Sequence, residues 1–399
     1  MTSERHWQGT GIEWTHFPDG YLGVERWRGE TWNPTVGCTR VSAGCDKCYA
    51  FALHDFRYAK NLEVARKPVD FRLPPDGDGR SPAQALIAEY RASGRLPRLP
   101  FPAQYDRPFS TVQLLADRLD RPLHWRDPRS VFVDSMADLF HEDVPDETLD
   151  RAFAVMALAP RHLFMILTKR PERMREYVNA ASIDVGTPKR ANRGSMVLWA
   201  AQQMADNGLL PRDKPYPWSD EFNGPGQPLE WPLPNVWLGT SVESQDVAAE
   251  RLDALLATPA ALHFVSAEPL LGPLDLRPWL GMRCSYCQAD GRHVSWSRME
   301  SMYREAHYEV TGEGPLPCGD KMARDPSLPG LAWVLVGGES GDSHRPLDFA
   351  WVESLREQCA LSGAAYFGKQ RAAYRPGQPL PPGLDAHEFP AEPPVRALG

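Results

Sequence analysis

Short apolar runs separated by helical patterns dominate the chain. Ser130-Val131-Phe132-Val133 reads as a buried strand that ends at Asp134. The stretch 145–158 then reads as a helix, because Leu149, Phe153 and Met156 share one face. Pro145 suits its first turn and Pro160 ends it. The alternation returns at once: a strand over 163–167 leads into Thr168-Lys169-Arg170. A strand over 235–239 precedes a helix carrying Val247, Leu252, Leu255 and Leu256 at helical spacing. Residues 262–265 form the next strand, ending at Ser266-Ala267-Glu268-Pro269, and 333–336 run into Gly337-Gly338-Glu339-Ser340-Gly341. A helix over 349–361, closed by Gly363, precedes a last strand at 364–367. With one further strand near Trp32, about seven strand units are visible.

Strands that alternate with helices imply parallel pairing through right-handed crossovers. The fold class is therefore α/β, as a partial or full TIM-like (β/α) barrel, with a doubly wound open sheet as the alternative. Three segments break the rhythm. Residues 57–128 and 181–234, rich in proline and arginine or glycine, read as long loops carrying short helices. Residues 281–326 hold Cys284, Cys287 and Cys318. One domain then covers 1–370, and the tail 371–399, with PGQPLPPG and PAEPP, reads as disordered.

Composition narrows the class. A chain of 399 residues, 42% hydrophobic and 24% charged, is that of a soluble globular protein with ample core. It has no apolar run of spanning length, which predicts no membrane association. The start, MTSERHWQGTG, lacks the apolar segment of a signal peptide, so a cytoplasmic chain is expected. Seven cysteines, six of them in two clusters, then read as metal or cluster chemistry and not as disulfides. The net charge of −8 gives no global pull toward nucleic acid.

Polar residues follow each strand: Asp134 and Asp138, Thr168 and Lys169, Thr240 and Glu243, Ser266 and Glu268, Glu339 and Ser340, Lys369 and Gln370. In a parallel barrel these positions converge on one rim, where active sites are built, although ion pairs around the rim explain part of the pattern. Cys38, Cys45 and Cys48 fall within eleven positions just after the first strand. Three thiolates on a four-iron cluster leave one iron open, and S-adenosylmethionine (SAM) can occupy it. The competing reading is a structural zinc site that borrows His54 as its fourth ligand. In the later insertion, Cys284-x(2)-Cys287 with Cys318 invites zinc, completed by His293 or His307, or an auxiliary cluster, or is an unliganded loop. Cys359, on an apolar helix face with Val352 and Leu355, reads as a core residue.

Several longer stretches resemble a phage-associated, radical-SAM-like family of unknown function, often called phage "Gp" proteins and found beside three-Cys-motif partner proteins. They are IEW (12–14), TWNPTVGC (31–38), GCDKCYA (44–50), RPLHWRDPRSVFVDSMADLFHEDVP (121–145), LTKRPERM (167–174), VWLGTSVES (236–244), FVSAEPLLGPLDL (264–276), and VLVGGESG with RPLDFAWV (334–352). The resemblance implies a radical-SAM type barrel with Cys38, Cys45 and Cys48 holding a 4Fe–4S cluster. It implies cleavage of SAM to a 5′-deoxyadenosyl radical that acts on a substrate. Six residues separate the first two cysteines, where the usual pattern has three, and Tyr49 follows the last cysteine, where the usual aromatic precedes it. Gly337-Gly338-Glu339 resembles a SAM amine contact, here on a late strand. Tyr49, Gly337, Gly338, Glu339, Ser340, Thr240, Ser266 and Glu268 are then the expected cofactor-binding set. Asp134, Asp138, Lys169, Arg170, Glu243 and Lys369 are the expected catalytic set. Phage association and the basic turn at Lys169 suggest a nucleotide or nucleic-acid base as substrate. An electron donor and a three-Cys-motif protein are the expected partners. The alternatives are a non-catalytic nucleic-acid- or protein-binding module with a structural zinc or iron–sulfur site, and a cluster enzyme that does not use SAM.

Overall fold

The computed structural model of the chain describes residues 10–65, 102–180, 182–183, 190–210, 229–284, 322–325 and 327–391. Seven strands form one sheet whose spatial order is their chain order: β1 (Arg28–Trp32), β2 (Arg129–Val133), β3 (Leu163–Thr168), β4 (Val236–Ser241), β5 (Leu262–Ala267), β6 (Trp333–Gly337) and β7 (Ala365–Gln370). All neighbours pair in parallel. An order that never reverses has no topological switch point, so the doubly wound alternative falls away and the sheet curls as a half-barrel. The helices are α1 (Tyr49–Ala65), α2 (Asp146–Leu158), α3 (Pro171–Asn179), α4 (Arg193–Asp206), α5 (Gln245–Leu256) and α6 (Phe349–Ser362).

Alternation along each strand splits the core in two. Outward-facing Val131, Val133, Phe164, Ile166, Val236, Leu238, Val265, Val334 and Val336 pack against the helices. Inward-facing Leu163, Met165, Trp237, Leu262, Phe264, Trp333, Leu335, Ala365 and Phe367 meet the N-terminal segment, whose Trp14 and Phe17 plug the floor of the half-barrel. The Trp14 ring lies 4.7 Å from Phe132, and Phe17 lies 5.6 Å from Trp237. The aromatic floor occupies the N-terminal ends of the strands. The strand-end carboxylates and Lys369 lie at the opposite, C-terminal ends.

Three segments set aside by the sequence pattern are anchored in the fold. First, residues 371–391 pack against β7. Gly368 N–H donates to Ala386 O at 2.8 Å, Glu388 N–H to Tyr366 O at 2.8 Å, and His387 stacks on Phe367 at 4.2 Å. A proline-rich sequence lacks periodicity, yet here it covers an unpaired strand edge that the half-barrel would otherwise expose. Phe389 joins the inner aromatic cluster, 5.1 Å from Phe17. Phe389→Ala is therefore expected to lower stability by roughly 1–3 kcal/mol, as read from urea unfolding midpoints.

Second, the segment 181–234 contains α4, a helix of 14 residues that buries Val197, Ala200, Ala201 and Met204 in the main core. Third, the insertion at 281–326 is rooted in the fold. Met282–Cys284 pairs antiparallel with Met322–Arg324, and Met282 is fully buried. Cys287 and Cys318 lie outside the described residues, and of Cys284 only the backbone strand is described, so the second cysteine group is untouched by the structure. Among the described residues, no helix is long and apolar enough to cross a membrane.

Candidate functional site

The cysteine loop leaves β1 through a two-residue ladder between Thr35–Val36 and Gln113–Leu114. Gly37 has φ +101, and a Cβ there would stand 2.4 Å from Thr111 O, so only glycine lets the chain turn here. The turn delivers Cys38, whose N–H donates to Phe109 O at 2.9 Å. The loop closes with Cys48 at the mouth of α1, where Ala52 N–H donates to Cys48 O at 3.3 Å. A helix N-terminus favours a thiolate or any anionic group held by it. Cys38, Cys45 and Cys48 all line one cavity of about 150 Å³, with Phe51, Phe109, Asp134, Asp138, Lys169 and Arg170 among its walls. Within the described residues these thiols are free and form no disulfide.

Asp138 and Arg170 stitch the cysteine loop to β3. Asp138 accepts from Thr168 Oγ1 at 2.6 Å, from Lys169 N–H at 3.1 Å and from Arg170 Nη1 at 3.1 Å. Burial, reinforced by Asp138, pushes the Cys38 thiol up to about 11, while Arg170 pulls the other way. Asp134 sits in the left-handed region at φ +56 and accepts from Thr35 N–H at 3.2 Å and Thr35 Oγ1 at 2.7 Å. Burial raises its carboxyl to about 8 despite those two hydrogen bonds. The folded state thus holds this proton more tightly than the unfolded chain, whose value is 3.8. Stability is expected to fall as pH rises between those two values. Asp134→Asn, which mimics the protonated group and tolerates positive φ, should flatten that slope and raise the melting temperature at pH 8. A pH series of thermal melts reads both effects.

A second cavity of about 380 Å³ adjoins the first and shares Cys48, Tyr49, Phe132, Leu167, Lys169 and Ser241 with it. Its volume lies within the roughly 300–1,000 Å³ usual for small-molecule sites. Gly338, Glu339, Ser340, Ser266, Glu268 and Lys369 line its far side. Two of its carboxylates are already paired. Lys369 Nζ donates to both oxygens of Glu268 at 2.7 and 2.8 Å. Glu339 accepts from Arg345 N–H at 2.8 Å and from the Arg345 guanidinium. Burial raises the Glu339 carboxyl, but the Arg345 bonds and charge outweigh it and hold the group below its ordinary value. The Lys169 ammonium makes no ion pair or hydrogen bond to any described residue, and it faces both cavities beside Ser241 and Ser266. Gly338 is packed so closely that a Cβ would stand 2.4 Å from Ala372 N.

Most of the expected set converges, but Glu243, Thr240 and Gly337 line neither cavity. Glu243 is buried, pairs with Arg251 Nη1 at 3.2 Å and accepts from Gly44 N–H at 3.2 Å, which makes it a tether for the cysteine loop. Thr240 is also buried, and its hydroxyl donates to Thr168 O at 2.7 Å, joining β3 to β4. Tyr49 reaches both cavities and donates to Ser135 O at 2.6 Å. Gly337 lies just under the turn, with an added Cβ placed 3.4 Å from Glu268. Arg345 escapes sequence reasoning although it sits in a quoted motif: its Nη2 also donates to Ala43 O at 2.8 Å, joining the glycine turn to the cysteine loop. Trp14, Phe132, Leu167 and Ser241 are missed too, since apolar and hydroxyl wall residues carry no sequence signal.

His54 is not at the site. Its Nε2 lies 2.9 Å from Arg107 O, and its ring packs on Tyr105 and Phe109 at 4.8 and 5.1 Å. Its Nδ1 is buried without a hydrogen-bond partner among the described residues, and the ring does not line the cysteine cavity. Among the described residues, no group of three or more His, Cys, Asp or Glu side chains is arranged to hold a metal ion. A cubane makes a different demand, because each thiolate binds its own iron at a separate corner. Cys38, Cys45 and Cys48 supply three thiols, free of disulfides, to the wall of one cavity.

The fold and site define an α/β half-barrel protein with a three-cysteine rim. The chain belongs to the family described as protein of unknown function DUF5131, whose profile matches residues 23–387. No curated protein and no solved structure matches it.

Proposed function

We propose that the chain is an iron–sulfur enzyme of the radical-SAM type. The observation that carries this reading is the convergence of Cys38, Cys45 and Cys48 on one small cavity that opens into a second of small-molecule size. A 4Fe–4S cluster held there would supply one electron for cleaving SAM to a 5′-deoxyadenosyl radical. The other roles belong to the protein. Lys169, with the hydroxyls of Ser241 and Ser266, suits the carboxylate of an amino-acid ligand, because its charge is otherwise uncompensated by any described residue. Trp14, Phe132 and Leu167 offer an apolar wall for a base. The paired Glu268 and Glu339 keep acceptor capacity for the ligand ammonium while adding no net charge with their partners.

A nucleotide or nucleic-acid base as substrate, an external electron donor, a three-Cys-motif partner protein and a reducing cytoplasmic setting belong to the same reading. The basic turn bears on the substrate differently from a surface patch: Arg170 turns inward to Cys38 and Asp138, leaving Lys169 to meet the ligand. Wild-type protein reconstituted anaerobically with iron and sulfide should be brown and carry about four irons per chain. A colourless protein with stoichiometric zinc at the three cysteines would overturn the reading in favour of a binding module.

A further inference from the structure

Arg170 is held more firmly than a substrate clamp needs to be. Its Nε donates to Glu142 Oε2 at 2.7 Å, its Nη2 to Thr39 Oγ1 at 2.8 Å and Thr39 O at 3.3 Å, and its Nη1 to Asp138 Oδ2 at 3.1 Å. The same Nη1 lies 3.6 Å from Cys38 Sγ and donates to it. The guanidinium lines the small cysteine cavity and is absent from the walls of the larger one. Its side chain is only 9% exposed, whereas Glu142 on its outer flank is 63% exposed.

We infer that Arg170 sets the electron affinity of the metal group bound at Cys38, acting on the thiolate and not on the substrate. This inference rests on the iron–sulfur reading above. Adding an electron to a thiolate-ligated cluster increases the negative charge on its sulfurs. A cation donating an N–H to one of those sulfurs stabilises the reduced form, and hydrogen bonds to sulfur and local charge are among the levers that set such potentials. Near-complete burial keeps the effect from being screened away. Asp138 and Glu142 aim the fork and partly offset its charge. Glu142 does so from solvent, where its own influence on the cluster is weaker.

The two flanks of this arrangement predict opposite signs. Removing the cation should make reduction harder, and removing the outer carboxylate should make it easier. A residue that merely supports the fold would move both variants the same way, or neither. Arg170→Lys keeps the charge but loses the planar fork that reaches Asp138, Thr39 and sulfur together.

The test is a mediated spectroelectrochemical titration of the full chain after anaerobic reconstitution, following bleaching of the cluster absorbance. Arg170→Gln is expected to have a more negative midpoint than wild type, Arg170→Lys an intermediate one, and Glu142→Gln a more positive one. Should Arg170→Gln fail to assemble a cluster, Arg170→Lys and Glu142→Gln still give the two signs. Loaded protein whose midpoint is unchanged in the Arg170 variants, or in which Glu142→Gln shifts the same way as Arg170→Lys, overturns the inference alone. Wild-type protein that takes up no iron overturns the functional reading, and the inference falls with it.

Discussion

Alanine at Cys45 is expected to abolish iron uptake, taking reconstituted protein from about four irons per chain to near zero. Cys45 is 7% exposed and lies between Ser42 and Cys48 in a loop fixed by backbone bonds at both ends, with Cys45 N–H to Ser42 O at 2.9 Å and Cys48 N–H to Cys45 O at 3.3 Å. Cys359, the other cysteine whose side chain is described, cannot replace it: it is buried in the core face of α6 with Val352 and Leu355, and burial pushes its thiol well up. Alanine at Cys38 or Cys48 should have the same effect as at Cys45, whereas Cys359→Ala should keep its iron. Thiol-to-methyl replacement removes little packing, so far-ultraviolet circular dichroism should not change in Cys45→Ala. Retention of full iron content by that variant would mean that the ligands lie elsewhere.

Glu243→Ala is expected to cost about 3–5 kcal/mol of stability, the usual penalty for stranding one partner of a buried ion pair. Arg251 is 6% exposed and would keep its bond to Ser241 O at 2.7 Å but lose its counter-charge. Gly44 N–H would lose its acceptor one residue before Cys45. The double variant Glu243→Met/Arg251→Met separates fold from site. Replacing both charges with apolar side chains should recover most of the stability. It should not recover cluster loading, because the tether to Gly44 stays absent. Urea midpoints and iron content, measured on the same samples, decide between these roles. Full loading in the double variant would show that Glu243 serves only the fold.

The alternation of strands and helices was legible because the strands after β1 are rich in apolar residues and most crossover helices have one apolar face, as with Leu149, Phe153 and Met156 on α2. The half-barrel followed from that order. Helix α3 was not anticipated: four of the nine residues of PERMREYVN are charged, and only Met174, Tyr177 and Val178 mark its buried side beyond Pro171. The three cysteines were legible as a site because their spacing alone brings them together. The strand-end rule located Glu243, Glu268 and Glu339 correctly along the chain. It could not say which of them is already paired by an arginine or lysine on another element, and so it cast the loop tether Glu243 as a catalytic group. Partners such as Arg345 and Lys369 become visible only when the sheet closes.

If the open side of a three-thiolate cluster meets SAM in the adjoining cavity, dithionite-reduced, cluster-loaded protein incubated with SAM should release 5′-deoxyadenosine and methionine, seen by liquid chromatography with mass detection. Lys169→Met should lower SAM affinity at least tenfold, about 1.4 kcal/mol, without changing the iron content. Wild-type protein with an intact, reduced cluster that neither binds nor cleaves SAM would contradict the account.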